Sequence, residues 1–438
     1  MAKRIDGFSK LSKEEKIDWI THTHFKNSTA AASQLSSYWN SDPSLQTQHD
    51  EFIENTLTNF YMPLGVAPNF LINESLFTLP MVIEESSVVA AAGNAAKFWL
   101  NKGGFKTVVI DTLKVGQVHF LYKGNPELLY AFFEKNKKNL LNATSGLTQK
   151  MELRGGGIVS LDLVSKTTAL PNYYQLNVRF KTADAMGANF INSCLESLAT
   201  AFENLIAKET FFMEKEVSIE IVMSILSNYV PECLVKASVS CSVDEIEHQE
   251  GLSGKKFAEK IVQAVEIASC ETFRAVTHNK GIMNGVDALI IATGNDFRAI
   301  EAGVHAYAAR NGQYTSLSKA SIIDDQFTME LILPLALGTV GGLTKLHPMV
   351  EWSMELLGNP DAKKLMEIVA VAGLAQNFAA LRSLVTSGIQ KGHMKMHLFN
   401  ILNQLGAKPV QKEAALNYFK KNTVSVKAVS DFLHSNEI

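Results

Sequence analysis

Apolar and polar positions recur at two different periods along this chain, and the changes of period divide it. Residues 1–60 read as polar helices, with Ser12 and Glu15 in capping-box positions. From 62 to 83, MPLGVAPNFLINESLFTLPMVI predicts strand, turn and strand, with Asn73-Glu74 at the hairpin. The alanine-rich run behind Glu84-Glu85 predicts a helix that Ser86 or Ser87 can cap and that Lys102-Gly103-Gly104 stops. After Thr107 the period becomes that of strands. VVIDTLKVGQVHFLY, GGGIVSLDLVSK, YYQLNVRFKT and VSIEIVMSI alternate, with helical stretches at 125–139 and 188–208 between them. Antiparallel strands with two helices describe a small α+β module inserted into the chain. The Arg154-Gly155-Gly156-Gly157 run is too short for a phosphate loop and reads as a hairpin turn. Beyond Ser227-Asn228 the pattern is mixed again. Leu374, Phe378, Leu381 and Leu384 fall at helical spacing as a core stripe. From Gly388 onward the chain predicts short amphipathic helices, with Gly388 and Gly392 as a hinge.

Length and composition narrow this picture. At 438 residues the chain exceeds one compact core, so two or three domains are expected. The formal charge of −3 gives no basic stripe for nucleic acid. The first residues are too charged for a signal peptide, and no run of about eighteen apolar residues suggests a membrane span. Four scattered cysteines without a C-x-x-C pair read as small core residues in a reducing compartment, so a cytoplasmic protein is expected. His22 and His24 have the spacing of a strand-borne metal pair but no third ligand nearby.

Candidate chemistry concentrates in 277–299, THNKGIMNGVDALIIATGNDFRA. Lys280, Asn284, Asp287 and Asp296 stand there beside an apolar run. A lysine and an aspartate so placed can stabilise an oxyanion away from water. They can equally be a surface turn lysine and the N-cap of a helix that starts at Phe297. A second candidate is Asp184-Ala185-Met186-Gly187-Ala188-Asn189, between a strand and a helix. Gly187 permits close backbone approach, and the helix N-terminus favours an anion, although Asp184 as a simple cap fits too. There is no G-x-G-x-x-G, so a Rossmann site is unsupported.

Six segments in order, LPMVIEESSVVAAA, DAMGAN, THNKGIMNG, GNDFRA, GTVGGLTKLHP and GHMKMH, resemble the 3-hydroxy-3-methylglutaryl-CoA (HMG-CoA) reductases, most closely the soluble class II branch. They span residues from about 60 to 400. The resemblance implies an α+β protein with three parts. A large mixed domain with a central helix (1–112 and 224–388) would bind the CoA thioester. An inserted ferredoxin-like domain (113–223) would bind the nucleotide, and a helical C-terminal flap (389–438) would close over the site. It implies two hydride transfers that interconvert HMG-CoA and mevalonate plus coenzyme A. Lys280 would bind the oxyanion, Glu85 donate a proton, Asp296 act as charge partner, and His393 protonate the departing CoA thiolate. Ser87, Asn228, Arg274 and Asn284 would hold the hydroxymethylglutaryl group, and the DAMGAN segment would contact the dinucleotide. A homodimer or higher homo-oligomer is implied, without nucleic acid or membrane. No metal is expected, because the lysine cation stands where other enzymes use one.

Within the family, acidic residues just before DAMG accompany a preference for NAD. This chain has Lys181 and Thr182 there, which can serve a 2′-phosphate, so NADPH is favoured and NADH remains possible. Asp184, Met186, Gly187 and Asn189 complete the expected nucleotide contacts. The competing class is a CoA-thioester enzyme without redox chemistry, an acyltransferase or thioesterase. It would need a nucleophilic Cys or Ser beside a base.

Overall fold

The structure, a computed structural model, describes residues 4–214, 218–247, 249, 251–386, 388, 398–419 and 422–435. It divides into two compact units, Met1–Pro63 and Leu64–Ile438. In the first, α1 (Lys13–His24) opens on the expected capping box between Ser12 and Glu15. Helices α2 (Ser28–Ser36) and α3 (Pro43–Asp50) are capped by Asn27 and Asp42. Lys13 Nζ lies 2.7 Å from Asp50 and 4.3 Å from the Trp39 ring centre, tying α1 to α3. His22 and His24 lie on α1 and not on a strand. Two residues apart on a helix is about 200° of rotation, which turns the two rings away from each other.

The second unit begins with the hairpin of β1 (Leu64–Ile72) and β2 (Ser75–Val82). Its turn residues Asn73 and Glu74 have φ of 45° and 70°. Two left-handed residues are what a two-residue type I′ turn requires. Helix α4 (Val88–Leu100) follows, with Ser87 at its N-cap position but making no side-chain cap. The alternating run after Thr107 is then shared between two sheets. β3 (Lys106–Val109) pairs with β8 (Leu234–Ser242), whereas β4 (Lys114–Tyr122) pairs with β6 (Tyr173–Lys181) and β7 (Ile219–Leu226).

The inserted module runs β4, α5 (Pro126–Ala143), α6 (Ser145–Glu152), β5 (Gly157–Ser165), β6, α7 (Ala188–Lys208), α8 (Thr210–Glu214) and β7. Its antiparallel sheet has the order β5-β6-β4-β7, the arrangement of a split β-α-β, ferredoxin-like fold. Period-2 burial explains the layering. Tyr174, Leu176, Val178 and Phe180 of β6 are buried with Phe133, Leu195 and Phe202 of the helices, while the residues between them are partly exposed. Helix α6 was not legible in the sequence. The Gly155–Gly157 run joins α6 to β5 and is therefore no hairpin. A Cβ on Gly156 would meet Lys181 O at 2.5 Å, so backbone proximity, not strand reversal, asks for glycine there.

The larger core surrounds a second antiparallel sheet, β3-β8-β10-β9, with β9 at Ser318–Ile323 and β10 at Gln326–Pro334. Against it lie α9 (Gly254–Cys270), α11 (Phe297–Ala308) and α13 (Ala362–Val385), with α10 (Thr272–Ala292) packed on α13 and α12 (Pro348–Leu356) on β2 and α10. Buried side chains occur around α10 and α13 on most sides, as expected of helices inside a core. By length and composition α13 passes for a membrane span, but 67% of its apolar window is buried inside the protein, so it is a core helix. Leu374, Phe378 and Leu381 are fully buried, while Leu384, at the helix end, is exposed. Helices Pro409–Tyr418 and Val426–Ser435 form a small core of their own with Leu398, Ile401 and Leu402. Gly392 and His393 lie outside the described residues.

The helices α10 and α13 approach at glycines. A Cβ on Gly285 would lie 2.4 Å from Ala372 O, and one on Gly373 would lie 2.9 Å from Val286. Gly285→Ala is therefore expected to destabilise the protein by about 1–3 kcal/mol through overpacking, despite its better helix propensity. Urea unfolding checks this, and an unchanged or higher midpoint refutes the close approach.

Candidate active site

The hairpin and the central helix bring the first two candidates together. β2 runs into Glu84-Glu85, and α10 presents Lys280 and Asn284 one turn apart on the same face. Lys280 Nζ lies 3.0 Å from Glu85 Oε2, and Asn284 Nδ2 donates to the same oxygen at 3.4 Å. Lys280 is in mid-helix and 60% exposed, so it is neither a turn residue nor sealed in the core. A cation, a carboxyl group and an amide thus converge at an accessible point.

Behind this point, α10 ends as its sequence dictates. Gly294 adopts φ 66°, with Asn295 N donating to Ile290 O and Gly294 N to Ile291 O, the two bonds of a Schellman ending. Asp296 then starts α11. Its Oδ1 accepts from Arg298 N, Ala299 N and Arg298 Nε. The cap reading of Asp296 is thereby realised. Among the described residues its hydrogen bonds do not extend to Lys280 or Glu85. Arg274, in the first turn of α10, has no carboxylate partner among the described residues, and burial lowers its pKa. An unpaired, partly desolvated guanidinium suits a carboxylate ligand. Ser87 is half-buried at the start of α4, and Asn228 is exposed after β7.

One buried and one half-buried group adjoin α10's polar face, and sequence reasoning assigned neither a function. His278 Nε2 lies 2.7 Å from Ser318 Oγ, which donates to Asn377 Oδ1 at 2.8 Å. Burial, then the Arg274 charge, pushes His278 down to about 3, so it is neutral at ordinary pH and anchors α10 instead of carrying protons. Asp287, two turns beyond Lys280, is pushed up to about 8 by burial, then by the hydrogen bond and charge of Glu301. Its Oδ1 atom is buried and has no hydrogen-bond partner among the described residues.

The second candidate segment is a tight turn between β6 and α7. Ala183 and Gly187 have φ of 47° and 93°. Gly187 leaves the α7 N-terminus without a side-chain cap, so its first amides are open to an anion. Asp184 does not cap α7 but reaches the start of α13, whose own N-cap is Asp361. Asp184 Oδ1 accepts from Ala362 N of α13, and the Asp184 carbonyl accepts from Thr339 N. A Cβ on Gly338 would meet Met186 N at 2.4 Å, and Asn295 Oδ1 accepts from Gly338 N, so the 182–187 turn lies against a loop tied back to the end of α10. Thr182 is buried, with its hydroxyl donating to Ala185 O and accepting from Lys114. Lys181 remains exposed, 3.8 Å from Asp111, and Asn189 is exposed too.

The cysteines speak against a thiol nucleophile. Cys194, Cys233 and Cys241 are buried and pushed up to about 11, and Cys270 is exposed. Among the described residues no group of three or more His, Cys, Asp or Glu is arranged for a metal ion.

Comparison with known proteins identifies the class. Residues 13–398 match the family described as hydroxymethylglutaryl-coenzyme A reductase. The 3-hydroxy-3-methylglutaryl-coenzyme A reductase of Archaeoglobus fulgidus is 36% identical over 412 residues, covering 93% of this chain and 88% of that protein. A probable enzyme of the same name from Borreliella burgdorferi is 34% identical, covering 82% and 80%. Among solved structures, the Streptococcus pneumoniae reductase superposes with a TM-score of 0.72 at 34% identity, covering 99% of this chain and 100% of that one. A class II structure from the same organism, bound to NADPH in open conformations, gives 0.71 at 36%, covering 88% and 100%. The chain belongs to the hydroxymethylglutaryl-coenzyme A reductase family, in its class II branch.

The Asp287 environment sets a pH dependence. In the unfolded chain its carboxyl ionises near pH 4, whereas the folded state holds the proton to about pH 8. Stability from this group is full below the unfolded value, falls as pH rises through this window and levels off above it. Asp287→Asn removes that slope, so its urea midpoint should improve relative to wild type from pH 5 to pH 8. Parallel curves for the two proteins would contradict the held proton.

Proposed function

We propose that this protein interconverts HMG-CoA and mevalonate plus coenzyme A by two successive reductions, as an NAD(P)-dependent oxidoreductase. The observation that carries the residue assignment is the convergence of Lys280, Glu85 and Asn284 on one point of the central helix. The reduced nicotinamide supplies one hydride at each reduction. In the first, the thioester carbonyl becomes a hemithioacetal, which collapses to the aldehyde and the CoA thiol. In the second, the aldehyde becomes the alcohol. Both steps place negative charge on the same oxygen, so one fixed cation serves both, and Lys280 is that group. Glu85, in contact with the ammonium, gives the proton that makes the alcohol. Asp296, which caps α11, is assigned as the charge partner of Lys280 on the family resemblance. His393 protonates the CoA thiolate, a group with a pKa of roughly 8.5 when free, within reach of an imidazolium donor.

Arg274 takes the free carboxylate of the hydroxymethylglutaryl group, and Ser87, Asn228 and Asn284 take its oxygens. The uncapped α7 N-terminus and the exposed Lys181 fit a dinucleotide that carries phosphates, which supports the module 113–223 as its site and NADPH over NADH. The remainder of the domain assignment is the one given by the sequence: 1–112 and 224–388 for the thioester, and 389–438 as the flap. The protein works in the cytoplasm as a homodimer or larger assembly, without a metal. The exposed Phe273 and Val276, two turns and one turn before Lys280, support a second subunit covering this face.

Mixing the protein with HMG-CoA and each reduced nicotinamide tests the activity by the loss of absorbance. Oxidation of neither nucleotide at high enzyme concentration removes the reading. Lys280→Ala should abolish turnover while leaving HMG-CoA binding measurable. Lys181→Asp should shift the ratio of kcat/KM values toward NADH, and an unchanged ratio would show that Lys181 does not read the 2′-phosphate.

A further inference from the structure

Lys114, the first residue of β4, is a buried lysine, 5% exposed. It has no carboxylate within salt-bridge distance among the described residues. Its Nζ donates instead to Thr182 Oγ1 and, at 2.8 Å, to Ala185 O. Burial pushes its pKa down, partly offset by Cys233 and Asp184. A desolvated ammonium is unfavourable where a methionine would fill similar space, so packing alone does not account for it. Its two acceptors bracket the turn in which Ala183 is left-handed and which leads to Gly187. Lys114 also lines a cavity of about 20 Å³ with Met186, Asn228 and Ala299. That is room for one water, where the nucleotide turn meets a residue of the thioester pocket.

We propose that Lys114 is a positioning residue for the dinucleotide: its ammonium fixes the 182–187 turn so that Met186 and the α7 N-terminus are presented to the nucleotide, which it does not itself touch. This rests on reading that turn as the nucleotide site. Thr182 acts with it, as the acceptor that links the lysine to the turn, and not as a phosphate ligand. Lys114→Met leaves the Thr182–Ala185 hydrogen bond in place, so no buried acceptor is abandoned.

The test measures KM for NADPH and for HMG-CoA, kcat, and the Kd of NADPH by fluorescence titration. In Lys114→Met, the KM and Kd for NADPH should rise roughly tenfold, the loss of a charged hydrogen bond, while kcat and the HMG-CoA KM stay within about twofold. Thr182→Val should act in the same direction, Thr182→Ser should behave as wild type, and the double variant Lys114→Met with Thr182→Val should be no worse than the worse single one. An unchanged NADPH KM in Lys114→Met, an equal rise in the HMG-CoA KM, or additive effects would each overturn the proposal. If Lys114→Met does not fold, equal NADPH KM values for Thr182→Val and Thr182→Ser overturn it instead. Wild-type protein that binds no reduced nicotinamide removes the reading of the turn and the proposal with it. Intact wild-type binding with an unaffected Lys114→Met removes the proposal alone.

Discussion

The close approach of α10 and α13 is the constraint on which the site depends. Backbone meets backbone at Gly285 and Ala372, and Gly373 admits Val286 in return. Such a contact fixes the rotation of α10 about its axis, because any other face would bring a side chain against a main-chain carbonyl. With the rotation fixed, Lys280, Asn284 and Asp287 must share the opposite, polar face. The buried Ser318 and Asn377 contacts of His278 hold the N-terminal half of the same helix. The lysine is therefore mounted on a rigid element, which is what an oxyanion binder needs if it is not to reorganise during the reaction.

A second constraint runs through the turn after that helix. The stop at Gly294 and the restart at Asp296 leave Asn295 to accept from Gly338 N, and Gly338 in turn lies against Met186 N. Asp184 reaches the first turn of α13. The 182–187 turn is thus bonded to the first turn of α13 and, through the 338–339 loop, to Asn295 just beyond α10. Lys114 belongs to this junction from beneath.

Local chemistry was legible wherever one segment contains its own explanation. The Ser12 capping box, the Asn73-Glu74 hairpin and the Asp296 cap each rest on bonds among residues three or fewer apart. The period-2 pattern of the inserted module and its helix at 188–208 were legible for the same reason. Six ordered motifs carried the family, because their number and order are improbable by chance, although no single spacing among them defined the chemistry.

What only the tertiary structure decided involves partners distant in sequence. The run after Thr107 alternates without a break, and nothing in its period tells that β3 and β4 join different sheets. Asp184 looked like a cap for the helix behind it and instead accepts from the first residue of a helix that begins at Ala362. Thr182 follows Lys181 in the sequence, and only the fold buries it and gives its hydroxyl to Lys114 and Ala185. Lys280, read alone, had the company of a turn residue. Only the fold sets it against Glu85, 195 positions away. The sequence determined which groups were available and the local bonds they make. Folding decided which of them meet, because charge and hydrogen bonding act over ångströms of space and not along the chain.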